Sequence, residues 1–251
     1  MASYNSVEIK LFHARQHLES LKAILQGYFE SKPCGMIRDA DSTLDQPTFT
    51  FSVMKPIPAR LGLVLGDCLQ NVRSALDYLI WELVLANQQT PGKHNMFPIC
   101  TTEKSFKDAI RARRLEGVAP EPLALIDSLQ PYRAGDLDAP GLPLTVLDEL
   151  VNINKHRRVL FTVVRSIPGS SMETIQVGSE TWGRPSVEAM QSDVDFGRKL
   201  TLQDAQTHGS IAAFVAIGEG PAKGSEATLV ASALLEFTAT EVAGQFTRFF
   251  E

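Results

Sequence analysis

Two stretches of this chain share one hydrophobic rhythm. Val7, Leu11, Ala14, Leu18, Leu21, Leu25 and Tyr28 follow one another at alternating steps of four and three, and so do Leu65, Leu69, Val72, Leu76, Leu79, Leu83 and Ala86. Steps of that kind return to one face of a helix on every turn, so each stretch is expected to be a long helix with a narrow apolar seam. Two seams of equal length can cover each other. Between them GMIRDAD and the alternating TFTFSV read as a small hairpin near residues 35–54, which would bring the chain back to where it left the first helix. The expected result is an antiparallel helix pair, with Val7 level with Ala86, Tyr28 with Leu65, Leu18 near Leu76 and Leu11 near Leu79 or Leu83.

After the loop PGKHNMFPIC, short helices are expected around EKSFKDAIRARR and PEPLALIDSL. A Pro/Gly-rich connector, PYRAGDLDAPGLP, leads into TVLDELVNINKHR. There Thr145 with Asp148 three residues on resembles a capping box, and Val146, Leu147, Leu150, Val151 and Ile153 face inward. The chain then turns to short β-type runs, RVLFTVVRSI, METIQVGS, FGRKLTLQD and SIAAFVAIG, as in an antiparallel meander. A last helix over about residues 227–250 carries Leu235, Val242, Phe246 and Phe249. The expected fold class is therefore α+β. A mainly helical part (1–156) contains the long antiparallel pair, a β-rich part (157–222) forms the meander, and a closing helix (223–251) completes one compact unit.

Composition narrows the functional classes. The 251 residues are 44% hydrophobic and 21% charged, enough to bury a sizeable core. No apolar run is long enough for a membrane span, and MASYNSVEIKLFHARQ lacks a basic segment followed by an apolar one, so a cytoplasmic protein without a membrane partner is expected. Cys34, Cys68 and Cys100 are odd in number and widely spaced, which argues for free thiols. A net charge of -5 provides no global attraction to nucleic acid; contact with RNA would need a local basic patch. Phosphate-binding glycine loops, dinucleotide fingerprints and nucleophile elbows are all absent from the sequence, no cofactor is implied, and GEGPAKGSE fits a turn.

The chemistry-bearing residues gather on the second long helix. In GDCLQNVRSALDYLIWEL, Asp67, Asn71, Ser74 and Tyr78 lie opposite the seam, with Gln70, Trp81 and Glu82 near them and Arg73 at the boundary, one turn before Asp77. A solvated outer face would account for the polar residues. Two large aromatics among them favour a face covered by another element, a second chain or a ligand, and a homodimer sealed by Tyr78 and Trp81 is expected.

The stretch NVRSALDYL, with NINKHR further on, resembles a pattern in uncharacterised bacterial proteins that reads N-L-R-S-A-L-D-H-L and later N-I-D-K-H-R. An arginine followed within a few residues by histidine in a helical bundle is similar to the signature of the HEPN superfamily, which includes metal-independent ribonucleases and inactive relatives. The resemblance covers residues 60–90 and 145–158, and it departs at the histidine position, where this chain has Tyr78, a poor general base at neutral pH. What the resemblance implies is an RNA-directed protein, either a weak or an inactive ribonuclease.

In that case Arg73 would meet phosphate, and the base would be His156 or His17, with Tyr78 in the position of the missing imidazole. Asp67, Asn71, Asp77, Asn152, Lys155, Arg157 and Arg158 would line the binding surface. The cations around His156 are also, and more commonly, what a helix C-terminus favours. RARR at 111–114 is either a second part of that patch or a solvated helix end. HARQH has the spacing of a metal clip without a third ligand, so no metal is expected. The alternative is a non-enzymatic protein that binds a partner or ligand through a helix face or a dimer.

Overall fold

The computed structural model describes residues 2–38, 40, 48–134, 141–156, 161–166, 172–177, 180–185, 200–201 and 212–250. Its frame is the helix pair α1 (Asn5–Glu30) and α2 (Arg60–Ala86). All seven seam residues of α1 are buried, and α2 buries its seam up to Leu83. The second helix starts at the end of KPIPAR, whose two prolines precede the first full turn as the sequence leads one to expect. Lys55, Pro56 and Pro58 lead to Arg60, and the first turn contributes Leu61, fully buried, and Val64.

The pair runs antiparallel in a register different from the expected one. Ser3 and Ser6 reach Glu82, Lys10 lies over Tyr78, Cys68 Sγ donates to Ala14 O at 3.3 Å, and Tyr28 Oη donates to Lys55 O at 2.9 Å. Val7 is thus level with residues near 81, not with Ala86, and Leu18 lies beyond the level of Cys68 instead of opposite Leu76. The seam repeats on each turn, so sliding by a turn or two still puts apolar against apolar. Polar contacts choose among these registers. Glu82, 9% exposed, takes the Ser3 N–H and the Ser6 hydroxyl at 2.8 Å each, placing a carboxylate at the amino end of α1, where the helix dipole favours an anion. Glu82 therefore belongs to the interior, not to the outer face.

Helices α3 (Glu103–Arg111) and α4 (Pro120–Ser128) follow, then α5 (Pro143–His156). Thr102 and Ser105 form a reciprocal capping box at α3. The box expected at Thr145 and Asp148 does not form. Proline at the first helical position starts α5 two residues before Thr145, whose buried Oγ1 has no hydrogen-bond partner, and Asp148 turns toward α2 instead.

Strands β1 (Cys34–Arg38) and β2 (Thr48–Val53) form the antiparallel hairpin, Cys34 opposite Val53. The later strands are β3 (Phe161–Ser166), β4 (Met172–Val177), β5 (Glu180–Pro185), β6 (Leu200–Thr201) and β7 (Ala212–Ile217). They do not make one meander. Only β4 pairs with its chain neighbour, β5; β3 pairs with β7, and β6 adds to β2, giving a β1-β2-β6 sheet. Val215, Ala216 and Ile217 are buried consecutively; β3 pairs with β7 edge to edge, and the closing helix contacts it. The turn after β7 has Gly220 and Gly224 at positive φ (74° and 84°), with Gly224 N–H returning to Ile217 O at 2.8 Å.

The closing helix changes its winding. Regular α6 (Ala227–Glu236) passes into a π turn (Phe237–Val242) and a 3-10 segment (Ala243–Phe249). Looser and then tighter winding compensate each other, and Leu235, Val242 and Phe246 all remain at 0% exposure. One apolar core includes residues from Val7 to Phe246, drawing on α1 to α6 and β7. Among the described residues, no helix is long and apolar enough to cross a membrane.

Candidate functional site

Arg73 stands on the flank of α2 that faces α5 and the loop before α3. Its Nη1 donates to Asp77 Oδ1 at 2.8 Å, its Nη2 donates to Phe97 O at 2.7 Å, and its Nε lies 3.9 Å from Asp148 Oδ1 on α5. Phe97 N–H donates to the same Asp77 oxygen at 2.9 Å, closing a ring of three residues. The i,i+4 spacing on α2 made the ion pair available; a loop backbone turns it into a clamp. Phe97 is fully buried and the Arg73 side chain is only 11% exposed, so the guanidinium is held from three directions. With Asp77 and Asp148 on either side, its charge is already answered, and an incoming phosphate would meet two carboxylates.

Burial pushes the Asp77 carboxyl above its usual value near 3.8, and the Arg73 charge, the Phe97 N–H and the Lys155 charge oppose the rise without cancelling it. Between that usual value and the raised folded one, the native state holds a proton that the unfolded chain has released. Stability therefore falls as pH rises through this window, and the ionised form is a net cost at neutral pH. Asp77→Asn keeps an acceptor for Arg73 and Phe97 but cannot titrate. On lowering the pH from 7 into the window, wild type should gain stability relative to Asp77→Asn, as read from urea unfolding of both proteins. A difference that stays constant or moves the other way would contradict the burial argument.

The surroundings of the clamp come from α5. Asn152 Nδ2 donates to Asp148 Oδ2 at 3.2 Å and steadies the carboxylate. Further along, the Asn154 side chain reaches α2 at Gly66, where a Cβ would stand 2.3 Å from its Oδ1, so a larger residue there would have to displace the Asn154 amide. Lys155 and His156 are exposed in the last turn. His156 lies eight residues past Asp148, about 12 Å along the helix, and α5 runs away from Arg73 in that direction, since Asn154 is already level with Gly66. No hydrogen bond joins Arg73 and His156. Arg157 and Arg158 lie outside the described residues.

The first-helix histidines are not at the clamp either. His17 is seven residues past Lys10, the residue that does meet Tyr78, with Nζ 5.2 Å from the ring centroid. His13 bonds Gln16 at 3.1 Å on the surface. Of the remaining expected residues, Asn71 donates from its amide to Asp67 O at 2.8 Å, and Asp67 itself is exposed. Tyr78 and Trp81 are 43% and 45% exposed, Tyr78 with only the Lys10 side chain of α1 over its ring. In RARR, Arg111 pairs with Asp108 and Arg113 with Glu116, both at the surface.

Four residues that matter here were not singled out as site residues: Lys10, Glu82, Phe97 and Asp148. The register hid Lys10, loop backbone chemistry leaves no trace in residue type at Phe97, and Asp148 carried a capping signal. Cys68 and Cys100 are buried free thiols. Burial pushes Cys68 to about 12, and raises Cys100 too. Among the described residues, His, Cys, Asp and Glu side chains form no group of three able to hold a metal. Two features result, an internal clamp centred on Arg73 and an open aromatic and polar face on α2. Comparison with protein-family models, curated proteins and solved structures finds no match to this chain.

Proposed function

We propose that this chain is a non-catalytic helical protein that works by presenting the outward face of α2 to a macromolecular partner. The stretches NVRSALDYL and NINKHR resemble the HEPN pattern in sequence, and the reading offered here is a relative without a nuclease centre. The observation that carries this is the engagement of Arg73: its two terminal nitrogens hold Asp77 and the Phe97 carbonyl, and no histidine among the described residues stands beside it. A general base must come within hydrogen-bond reach of the proton it takes, and His156 and His17 are turns away along their helices. Tyr78 and Trp81 are meanwhile open to a partner, and large amphipathic rings of this kind are where interface energy concentrates.

Support for an RNA-directed role comes from the exposed Lys155 and His156 at the end of α5. The deciding experiment incubates the purified full chain with labelled single-stranded and hairpin RNA, with and without chelator. The expected result is no cleavage, both for wild type and for Tyr78→His, which restores the histidine of the resembled pattern. Cleavage by wild type that survives chelator and falls at least tenfold in a folded Arg73→Ala variant, about 1.4 kcal/mol in barrier, would replace this proposal with a metal-independent ribonuclease.

A further inference from the structure

The outward stripe of α2 has the same character read from either end. Leu63, Asp67, Gln70, Ser74, Tyr78 and Trp81 succeed one another at helical spacing, with a large apolar residue at each end and hydrogen-bonding residues between. Leu63 is 56% exposed, more than either aromatic, and Asp67 and Gln70 are exposed as well. The positions pair about the level of Val72: 63 with 81, 67 with 78, 70 with 74.

We propose that this stripe binds the same stripe of a second copy, antiparallel, about a two-fold axis at the level of Val72. The proposal rests on the non-catalytic reading above and names its partner. In this register each Leu63 packs on the other protomer's Trp81, each Asp67 accepts from the other's Tyr78 hydroxyl, and Gln70 meets Ser74 at the centre. Ser74 is small enough to let the helices approach, and its hydroxyl now accepts only a long bond of 3.4 Å from Gln70 of its own chain.

Charge complementarity selects a second copy as the occupant. Lys10 Nζ lies over the Tyr78 ring, so the position where the other protomer's Asp67 reaches that phenol is also where it meets an ammonium. Neither Lys10 nor Asp67 has an oppositely charged partner among the described residues. Two-fold symmetry makes both pairs at once, one at each end of the contact.

The test is a charge exchange followed by sedimentation equilibrium on the full chain at micromolar concentration. Wild type should be a dimer. Lys10→Glu alone sets carboxylate against carboxylate at both ends, and Asp67→Lys alone sets ammonium against ammonium, so each should weaken self-association at least tenfold. An equimolar mixture of the two should recover a dimer, because both pairs in the mixed species are then opposite in sign, and the double variant Lys10→Glu/Asp67→Lys should recover it also. Both side chains are surface groups, and circular dichroism verifies that the single variants are folded; recovery in the mixture would show the same. A monomeric wild type overturns the proposal, as does a dimer that neither single variant weakens or a mixture that stays dissociated. None of these outcomes touches the RNA assay, so failure of the two-fold contact is distinguishable from failure of the non-catalytic reading.

Discussion

Phe97→Ala should unfold at a much lower urea concentration than wild type, with a loss of about 3 to 5 kcal/mol. The ring is among the largest fully buried side chains, and its removal leaves a cavity in the core. Its backbone is fixed at both ends, the carbonyl by Arg73 and the N–H by Asp77, so the surrounding loop cannot easily collapse into the space. Collapse is what makes such truncations inexpensive elsewhere. A loss below about 1 kcal/mol would mean that the loop is free to repack, and the clamp would then have to be weaker than its distances suggest.

Arg73→Ala should cost about 2 to 3 kcal/mol, chiefly because it leaves the Phe97 carbonyl without its side-chain donor and a partly buried carboxylate with only the Phe97 N–H. Arg73→Lys should not recover most of this. One ammonium replaces a planar fork whose two terminal nitrogens currently serve partners in different directions. The measurement is again equilibrium unfolding, and the Arg73→Ala/Phe97→Ala double variant adds a second criterion. Both single changes loosen the same loop, so their costs should sum to more than the cost of the double variant. Simple additivity would argue that guanidinium and ring act independently.

The helices were legible because apolar periodicity is a property of each segment by itself. The seams at 7–28 and 65–86 sufficed to place α1 and α2, and alternation sufficed for TFTFSV. Pairing is a property of two segments, and there the signal thinned. A seam that repeats each turn is nearly degenerate to sliding, and the contacts that break the degeneracy, Glu82 with Ser3 and Ser6, involve polar residues that resemble any surface group. Four of the later β-runs were recognisable one by one and β5, Glu180–Pro185, was not, and the pairing of β3 with β7 and of β6 with β2 left no trace in any single run. At the site, the Arg73 and Asp77 spacing was readable, but the partner that defines its role is a main-chain amide of a loop. Asp148 offered two signals at once, a cap and an acid, and the proline two residues before Thr145 decided between them.

The pairing of β2 with β6 sets an order of events during synthesis. Thr48 and Phe49 find their sheet partners at Thr201 and Leu200, so one side of the hairpin waits while most of the chain is made. In that interval β2 presents unpaired backbone groups, the kind of edge that recruits strands from other nascent chains. The α1 and α2 pair, by contrast, can dock as soon as residue 86 has emerged, and the hairpin lies in the connection between the two helices. Ribosome spacing and temperature, which set how long the edge stays open, should thus affect the yield of this protein more than its final stability.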